Sequence, residues 1–305
     1  MAAHMAAGVR RVKPSAWVEL ALALPWLWWS WLAIALISGP FDTFGVVLSV
    51  VWLVSAFAVV VYPPLEHVLA AKVYRLRKPF EWELRRLGPA WWAVCTAAGA
   101  DPNRYRLWIH EGPEATPPYP APGAAIAVTN WALSRLPDRH LEAVLAHELA
   151  HSLALPRIPS LLLYWLTLPA KIAGRIVDFC WNHRLLKTLL KVVVGFFLIS
   201  VIGIGLFLGF DSVWVWLLLS PFAAPVVVPW VARVQEKMAD RVAFDLGYGF
   251  LLAQVFQGRE YERAQLAEQG LRQTVGGTQP LDSARLHALE DLLNSSPQNG
   301  HHPPY

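Results

Sequence analysis

Four long stretches of the chain consist of apolar and uncharged residues. They cover residues 20–41, 43–65, 192–210 and 212–232. A bilayer core of about 30 Å requires roughly 20 apolar helical residues, so each stretch is long enough to cross. A buried helix of a soluble protein is the alternative for any single stretch, but four of them favour transmembrane helices. The fourth is the least regular, because its three prolines each remove a backbone hydrogen bond.

A fifth apolar stretch, residues 158–170, is too short to cross a bilayer by the same rule. It continues into a segment in which Lys171, Arg175 and Asp178 recur at helical spacing. We predict that residues 158–187 form a basic amphipathic helix that lies along the membrane surface. A helical hairpin packed inside a soluble domain is an equal alternative.

The composition also indicates a membrane protein. Hydrophobic residues make up 55% of the 305 residues and charged residues 16%, whereas soluble domains carry about 25% charged residues. The 16 tryptophans fit the aromatic belts of membrane interfaces. The net charge of +4 is mild, and the basic residues adjoin apolar stretches, so nucleic-acid binding is not expected. Two cysteines make no disulfide framework and fit a reducing compartment.

Lysine and arginine gather on one side of the predicted helices. Three precede the first apolar stretch and six lie between residues 72 and 86, whereas the turns near Asp42 and Asp211 contain none. Since cytoplasmic loops are enriched in Lys and Arg, we predict that both termini and the polar middle face the cytoplasm. Within the polar parts, residues 105–110 and 124–129 have the pattern of short strands.

The helix predicted at 138–155 contains the motif HExxH. His147 and His151 are four residues apart, so both imidazoles lie on one face and can bind one metal ion. Glu148 follows the first histidine and can act as a general base toward a water molecule at that site. A surface helix with two histidines is the simpler alternative. The apolar surroundings argue against it, because burying these polar groups without a partner is costly.

A third protein ligand must come from elsewhere in the chain. The helix predicted at 231–246 offers Glu236 and, one turn later, Asp240. Glu236 can complete a His-His-Glu set, and Asp240 can accept a hydrogen bond from a ligand histidine and fix its tautomer. A solvated helix, with charges paired to Arg233 and Lys237, is the alternative. The HExxH motif makes this alternative less favoured, because a site of that type requires a third protein ligand.

The order of these motifs is informative. HExxH, then apolar spans, then Glu-x-x-Ala-Asp at 236–240 resembles the membrane-embedded gluzincin metallopeptidases, which include the HtpX-type heat-shock protease and the CAAX prenyl protease. The similarity covers about residues 108–290. It implies one zinc ion per chain. The residues that it implicates are the zinc ligands His147, His151 and Glu236, the general base Glu148, and Asp240 behind a ligand.

Two segments depart from the family pattern. Relatives often have His-Pro, with an Arg six residues after the His. Here Gln279 stands in place of that histidine. Arg285 matches the family's arginine, which supports the substrate or the tetrahedral intermediate. The Pro-rich stretch 117–122 replaces an Asn-Ala pair before the edge strand. We expect that strand to pair with an extended substrate. The substrate-binding residues are then Ala124, Ala125, Ile126, Ala127 and Val128.

The sequence therefore predicts a mainly α membrane protein, with four transmembrane helices and a cytoplasmic zincin-like α+β metalloprotease domain that carries a short β-sheet. The predicted segments are 1–65 with the N-terminal segment and helices 1 and 2, 66–157 with the HExxH helix, 158–191 skimming the membrane, 192–232 with helices 3 and 4, 233–294 with the third-ligand helix, and 295–305 as a disordered tail.

The predicted function is an HtpX-like, zinc-dependent endopeptidase of the bacterial plasma membrane, with a cytoplasmic active site. Its expected partners are the lipid bilayer and membrane-protein or membrane-proximal peptide substrates, as in quality control. A catalytically silent zinc-binding membrane scaffold is the alternative, motivated by Gln279. A channel or transporter fits less well, because the apolar spans contain almost no ionisable residues.

Overall fold

The computed structural model is mostly helical over the residues that it describes, which are 15–38, 43–62, 68–74, 76–111, 123–154, 157–209, 213–268 and 282–295. The helices are α1 (Ser15–Ser38), α2 (Thr43–Val61), α3 (Glu81–Ala98), α4 (Asn130–Arg135), α5 (Asp138–Ala154), α6 (Arg157–Asn182), α7 (Arg184–Leu208), α8 (Val213–Leu219), α9 (Ala224–Asp245), α10 (Gly249–Glu268) and α11 (Asp282–Ser295). A π-helical turn lies at Leu69–Val73 and 3-10 turns at Pro102–Arg104 and Ser220–Ala223.

The chain divides into two compact units. The polar unit comprises residues 1–19, 62–161 and 231–305, and the apolar unit comprises residues 20–61 and 162–230.

A small mixed sheet lies in the polar unit. Its strands β1 (Leu76–Arg77), β2 (Arg106–His110) and β3 (Ala125–Thr129) are ordered β1-β2-β3. β2 runs antiparallel to β1 and parallel to β3. All five residues of β3 are buried, as in a strand covered on both faces. The two strands predicted from the sequence are thus present, each one residue shorter than expected, and Ala124 lies in the turn before β3.

Helix α5 is central to the polar unit. Ten consecutive residues, 141–150, are buried, and the helix packs against α3, α10 and β3. Because these ten residues cover every side of the helix, the HExxH motif is held in the core. The surrounding core includes Leu87, Val94, Ile109, Val128, Leu252, Phe256 and Leu289.

A buried ion pair joins β1 to α3. Glu83 has no exposed surface, and each of its oxygens accepts a hydrogen bond from Arg77 at 2.7 Å. The N–H of Phe80 donates to the same carboxylate at 2.7 Å and so begins the helix. The hydrogen bonds from Arg77 hold the pKa of Glu83 below its usual value.

Side chains in the apolar unit replace backbone hydrogen bonds that prolines remove. Pro169 in α6 has no N–H to donate to the carbonyl of Trp165, which accepts instead from the indole of Trp52 at 3.4 Å. The next amide, that of Ala170, donates to the hydroxyl of Ser30, which has no exposed surface, at 3.1 Å. The first half of α6 is therefore bonded to α1 and α2, as an apolar environment requires.

The end of α8 and the turn after it repeat this arrangement. Pro221 cannot donate to the carbonyl of Leu217, which accepts from the indole of Trp28 at 3.0 Å and from the hydroxyl of Ser220 at 2.7 Å. The breaks at Pro169 and Pro221 are thus compensated by neighbouring polar side chains.

Among the described residues, four helices are long and apolar enough to cross a membrane. They are Thr43–Val61, Arg157–Asn182, Leu186–Phe207 and Val215–Asp245, and the described apolar part of α1, Leu20–Ala35, is shorter. The predicted fold class, a mainly helical membrane protein with a small sheet, is confirmed.

One of these helices, α6, corresponds to the basic amphipathic helix predicted at 158–187. Its observed bounds are Arg157–Asn182, so it ends five residues earlier than predicted, and the next helix begins at Arg184. The apolar residues 158–170 form its first half, and the whole helix is of spanning length. The predicted tail beyond Ser295, Gln279 and the stretch 117–122 lie outside the described residues.

Candidate metal centre

Helix α5 carries both histidines of the HExxH motif into the core of the polar unit. His147 is 1% exposed and Glu148 is 5% exposed, and the side chain of His151 is 10% exposed. The spacing of four residues brings the two Nε2 atoms to 3.3 Å from each other, with the rings perpendicular. Two imidazole nitrogens therefore face the same point in a buried environment.

Helix α9 brings a carboxylate to this point. The buried face of the helix contains Glu236 together with Asp240 one turn later. Glu236 Oε2 lies 3.2 Å from His147 Nε2, and Glu236 Oε1 lies 3.7 Å from His151 Nε2. Gly247, at a positive φ of 90°, follows the end of α9, as the sequence predicts for its C-terminus.

The three side chains fit a zinc ion. Tetrahedral zinc with bonds of about 2.0–2.1 Å separates its ligand atoms by about 3.3–3.4 Å. The two Nε2 atoms are 3.3 Å apart, His147 Nε2 lies 3.2 Å from Glu236 Oε2, and His151 Nε2 lies 3.7 Å from the other oxygen, Oε1. Three ligand atoms, one from each residue, lie within 4.8 Å of one another. Two imidazoles and one carboxylate, with a fourth position left for water or substrate, form the donor set of a catalytic zinc site.

A second layer of charged groups orients His147. Asp240 Oδ1 lies 2.9 Å from His147 Nδ1 and can accept its N–H, which leaves Nε2 available to a metal. Arg285 on α11 donates to both oxygens of Asp240, at 3.0 and 2.6 Å. Another nitrogen of Arg285 lies 3.1 Å from Glu236 Oε2. Arg285 is only 3% exposed, so this cation balances two buried carboxylates.

Burial and charge shift the titration of these groups in different directions. Burial raises the pKa of Glu148 to about 8 and lowers the pKa of His151 to about 4. Burial and Arg285 also act to lower the pKa of His147, but its contacts with Asp240 and Glu236 outweigh them and raise it to about 9. His151 is thus neutral near pH 7, the form that binds a metal, whereas His147 must release a proton when it binds one.

The structure brings together six of the residues singled out in the sequence. His147, His151 and Glu236 converge, Asp240 and Arg285 lie behind them, and Glu148 follows His147 on α5. The predicted substrate-binding residues lie in β3 or directly before it. Ala125, Ile126, Ala127 and Val128 form β3, whereas Ala124 precedes it and its carbonyl accepts from the N–H of Arg106 at 2.8 Å.

Sequence reasoning missed one residue of this site. The guanidinium of Arg285 lies 4.2 Å from the ring centroid of Phe256 on α10, a cation–π contact inside the core. An apolar residue at helical spacing indicates only a core position. No signal in the sequence distinguishes Phe256 from its buried neighbours Leu252 and Val255.

A buried HExxH helix that meets a glutamate from a later helix defines a gluzincin-type metallopeptidase site. The family model described as Peptidase family M48 matches residues 94–293, which are 200 of the 305 residues. The chain therefore belongs to peptidase family M48, a family of zinc metallopeptidases, and the family predicted from the motifs is confirmed. No curated protein and no solved structure matches the chain.

Proposed function

We propose that this protein is an integral-membrane zinc endopeptidase that cuts membrane proteins or membrane-proximal segments. The observation that carries the proposal is the convergence of His147, His151 and Glu236 in a chain of peptidase family M48. The ligand residues come from two helices whose intervening sequence contains apolar helices of spanning length. A peptidase built in this way is tethered at the membrane, and its most available substrates are other membrane proteins.

Five residues would hold the metal or support the residues that hold it. His147 Nε2, His151 Nε2 and one oxygen of Glu236 would hold the metal. Zinc bound there supplies a positive charge that polarises the scissile carbonyl and makes a water molecule more acidic. Asp240 accepts the N–H of His147 and fixes its tautomer, and Arg285 keeps Asp240 and Glu236 charged in a buried setting.

Glu148 performs the proton transfers. Burial raises the pKa of Glu148 to about 8, and the ionised form is the base: it takes a proton from the attacking water while the water oxygen bonds to the scissile carbonyl carbon. It then gives that proton to the amine nitrogen as the C–N bond breaks. Glu148 adjoins the ligand His147 in sequence and is 5% exposed, so the transfer takes place away from bulk water. The family role of Arg285 toward the tetrahedral intermediate stays a prediction.

The substrate is proposed to bind in extended form along β3. This strand is the last in the order β1-β2-β3 of the described sheet and pairs with β2 on one side. An added strand obtains its main-chain hydrogen bonds from such an edge. The residues concerned are Ala124, Ala125, Ile126, Ala127 and Val128.

The location follows from the charge distribution. Lysine and arginine between residues 72 and 86 favour a cytoplasmic polar unit by the positive-inside rule. We therefore assign the site to the cytoplasmic face of a bacterial plasma membrane, with a role in membrane-protein quality control of the HtpX type.

The direct test is Glu148→Gln in the full chain, reconstituted in liposomes with a membrane-protein substrate. The variant should keep one zinc ion, while cleavage falls by about 10²- to 10⁴-fold because the general base is lost. Glu81→Gln is the matched control, since that side chain is 94% exposed, and it should cleave like the wild type. Full activity of Glu148→Gln would contradict the assignment. Zinc-loaded wild type that cleaves nothing would favour the silent scaffold.

A further inference from the structure

The contact between α5 and α9 limits how often the chain crosses a membrane. His147 on α5 and Glu236 on α9 lie 3.2 Å apart, so both are on the same side. The chain between them must therefore cross an even number of times. Three stretches of spanning length begin between them: Arg157–Asn182, Leu186–Phe207 and Val215–Asp245. Glu236 lies near the end of the third, after its uncharged part, which ends at residue 232. At least one of the three does not cross.

Helix α6 is the least suited of the three to cross. Its second half carries Lys171, Arg175 and Asp178, whereas residues 192–210 and 212–232 contain no charged residue. Charged side chains in the hydrocarbon are costly unless they are paired in the interior of a bundle. Ile176 and Phe179 beside these charges are each 57% exposed, so this half of the helix is not covered by the rest of the unit.

The second half of α6 and the start of α7 form one surface, residues 171–191, which we call the basic turn. The ring of Phe179 lies 4.4 Å from that of His183, and the Lys187 amine lies 4.7 Å from the ring of Trp181. The first contact packs the turn residue His183 against α6, and the second joins the start of α7 to the end of α6. The basic turn contains one carboxylate, Asp178, and five cations, which are Lys171, Arg175, Arg184, Lys187 and Lys191.

We propose that the basic turn binds anionic phospholipid headgroups in the leaflet on the side of the metal centre. Five cations against one carboxylate complement headgroup phosphates. The exposed rings of Phe179 and Trp181 fit the acyl boundary beneath those phosphates. The uncharged part of α7 begins at Val192, directly after the last lysine, and a basic cluster beside a membrane helix is the pattern of anionic-lipid recognition.

Lipid binding is tested on the full chain in mild detergent, with bound lipids counted by native mass spectrometry. Phosphatidylglycerol should bind more tightly than phosphatidylcholine, and added salt should weaken it. The variant Arg184→Gln/Lys187→Gln/Lys191→Gln should lose about fivefold per cation, or about a hundredfold. The matched control Arg85→Gln/Arg104→Gln/Arg139→Gln removes three exposed cations of the polar unit and should bind phosphatidylglycerol within about twofold of the wild type.

Three results would overturn the proposal: equal binding of the two lipids by the wild type, equal loss in both triple variants, or displacement of phosphatidylglycerol by glycerol phosphate at the same concentration. The last would mean a soluble phosphate ligand. None of these readouts requires proteolysis, so they are separate from the test of the proposed function.

A sidedness measurement tests the parity argument independently. His183→Cys lies at the exposed turn, and Arg85→Cys lies on α3 in the polar unit, where the arginine side chain is 80% exposed. In liposomes of the full chain with Cys180→Ser as the background, a membrane-impermeant maleimide should label both introduced cysteines in the same fraction of molecules. Labelling of the two in complementary fractions would mean that α6 crosses, and would place the basic turn in the other leaflet.

Discussion

Replacing Arg285 by methionine should destabilise the protein strongly. The guanidinium is 3% exposed, donates to both oxygens of Asp240 and lies 3.1 Å from Glu236. Methionine retains much of the volume, so the main loss is the charge that balances two buried carboxylates. Removing one partner of a buried ion pair costs about 3–5 kcal/mol, because the other charge is left without compensation.

The assay is thermal unfolding of the purified chain in detergent, followed by tryptophan fluorescence. For a unit of 150–250 residues, 1 kcal/mol shifts the melting temperature by about 2–4 °C, so Arg285→Met should melt roughly 6–20 °C lower. Arg139→Met is the control: its side chain is 78% exposed and lies 3.4 Å from Glu142. We expect its free energy of unfolding to stay within about 0.5 kcal/mol of the wild type.

A double variant separates charge from packing. Adding Asp240→Asn to Arg285→Met neutralises one of the stranded carboxylates and should recover part of the lost stability. If Arg285→Met melts like the wild type, the ion pair does not stabilise the folded protein. If the double variant is no more stable than the single one, buried charge is the wrong explanation for the loss.

Three further outcomes follow from the same contacts. Asp240→Asn should weaken zinc binding about 10- to 100-fold in a chelator competition, and unchanged affinity would contradict its orienting role. Cys95 has no exposed surface, and burial raises the pKa of its thiol to about 12. Maleimide at pH 8 should therefore label only Cys180 in the folded protein, as detected by peptide mass spectrometry. Labelling of Cys95 in the folded protein would refute this. The hydrogen bonds from Arg77 lower the pKa of Glu83. The ion pair therefore stabilises the folded protein fully at pH values above the ordinary glutamate pKa, and this stabilisation is lost as the pH falls through the lowered pKa. The melting temperature of Glu83→Gln should therefore depend less on pH at acidic pH than that of the wild type. Identical curves of melting temperature against pH for the two proteins would contradict this role of the ion pair.

The metal-binding residues could be predicted because their spacing is local. His147 and His151 meet on any helix at four-residue spacing, and the chemistry of zinc demands a third ligand, which only one later helix supplied with a supporting carboxylate at 240. Local alternation of the residues likewise predicted β2 and β3 within one residue of their observed bounds, whereas the two-residue strand β1 was missed.

The remaining features depend on tertiary contacts. The ring of Phe256 beneath Arg285 requires α10 and α11 to pack together, which no periodicity reveals. The turn at His183, which separates α6 from α7, lies inside the helix predicted at 158–187, and no proline or glycine nearby in the sequence marks it. The partners of Pro169 and Pro221 likewise come from distant helices.

Zinc content measured by elemental analysis on dialysed protein tests the central claim most directly. Wild type should hold one zinc ion per chain, and Glu236→Ala should hold close to none. Asp245→Ala is the matched control, since that carboxylate lies on the same helix, is 46% exposed and pairs with Arg241, and it should hold one zinc ion. A full complement of zinc in Glu236→Ala would contradict the three-ligand site.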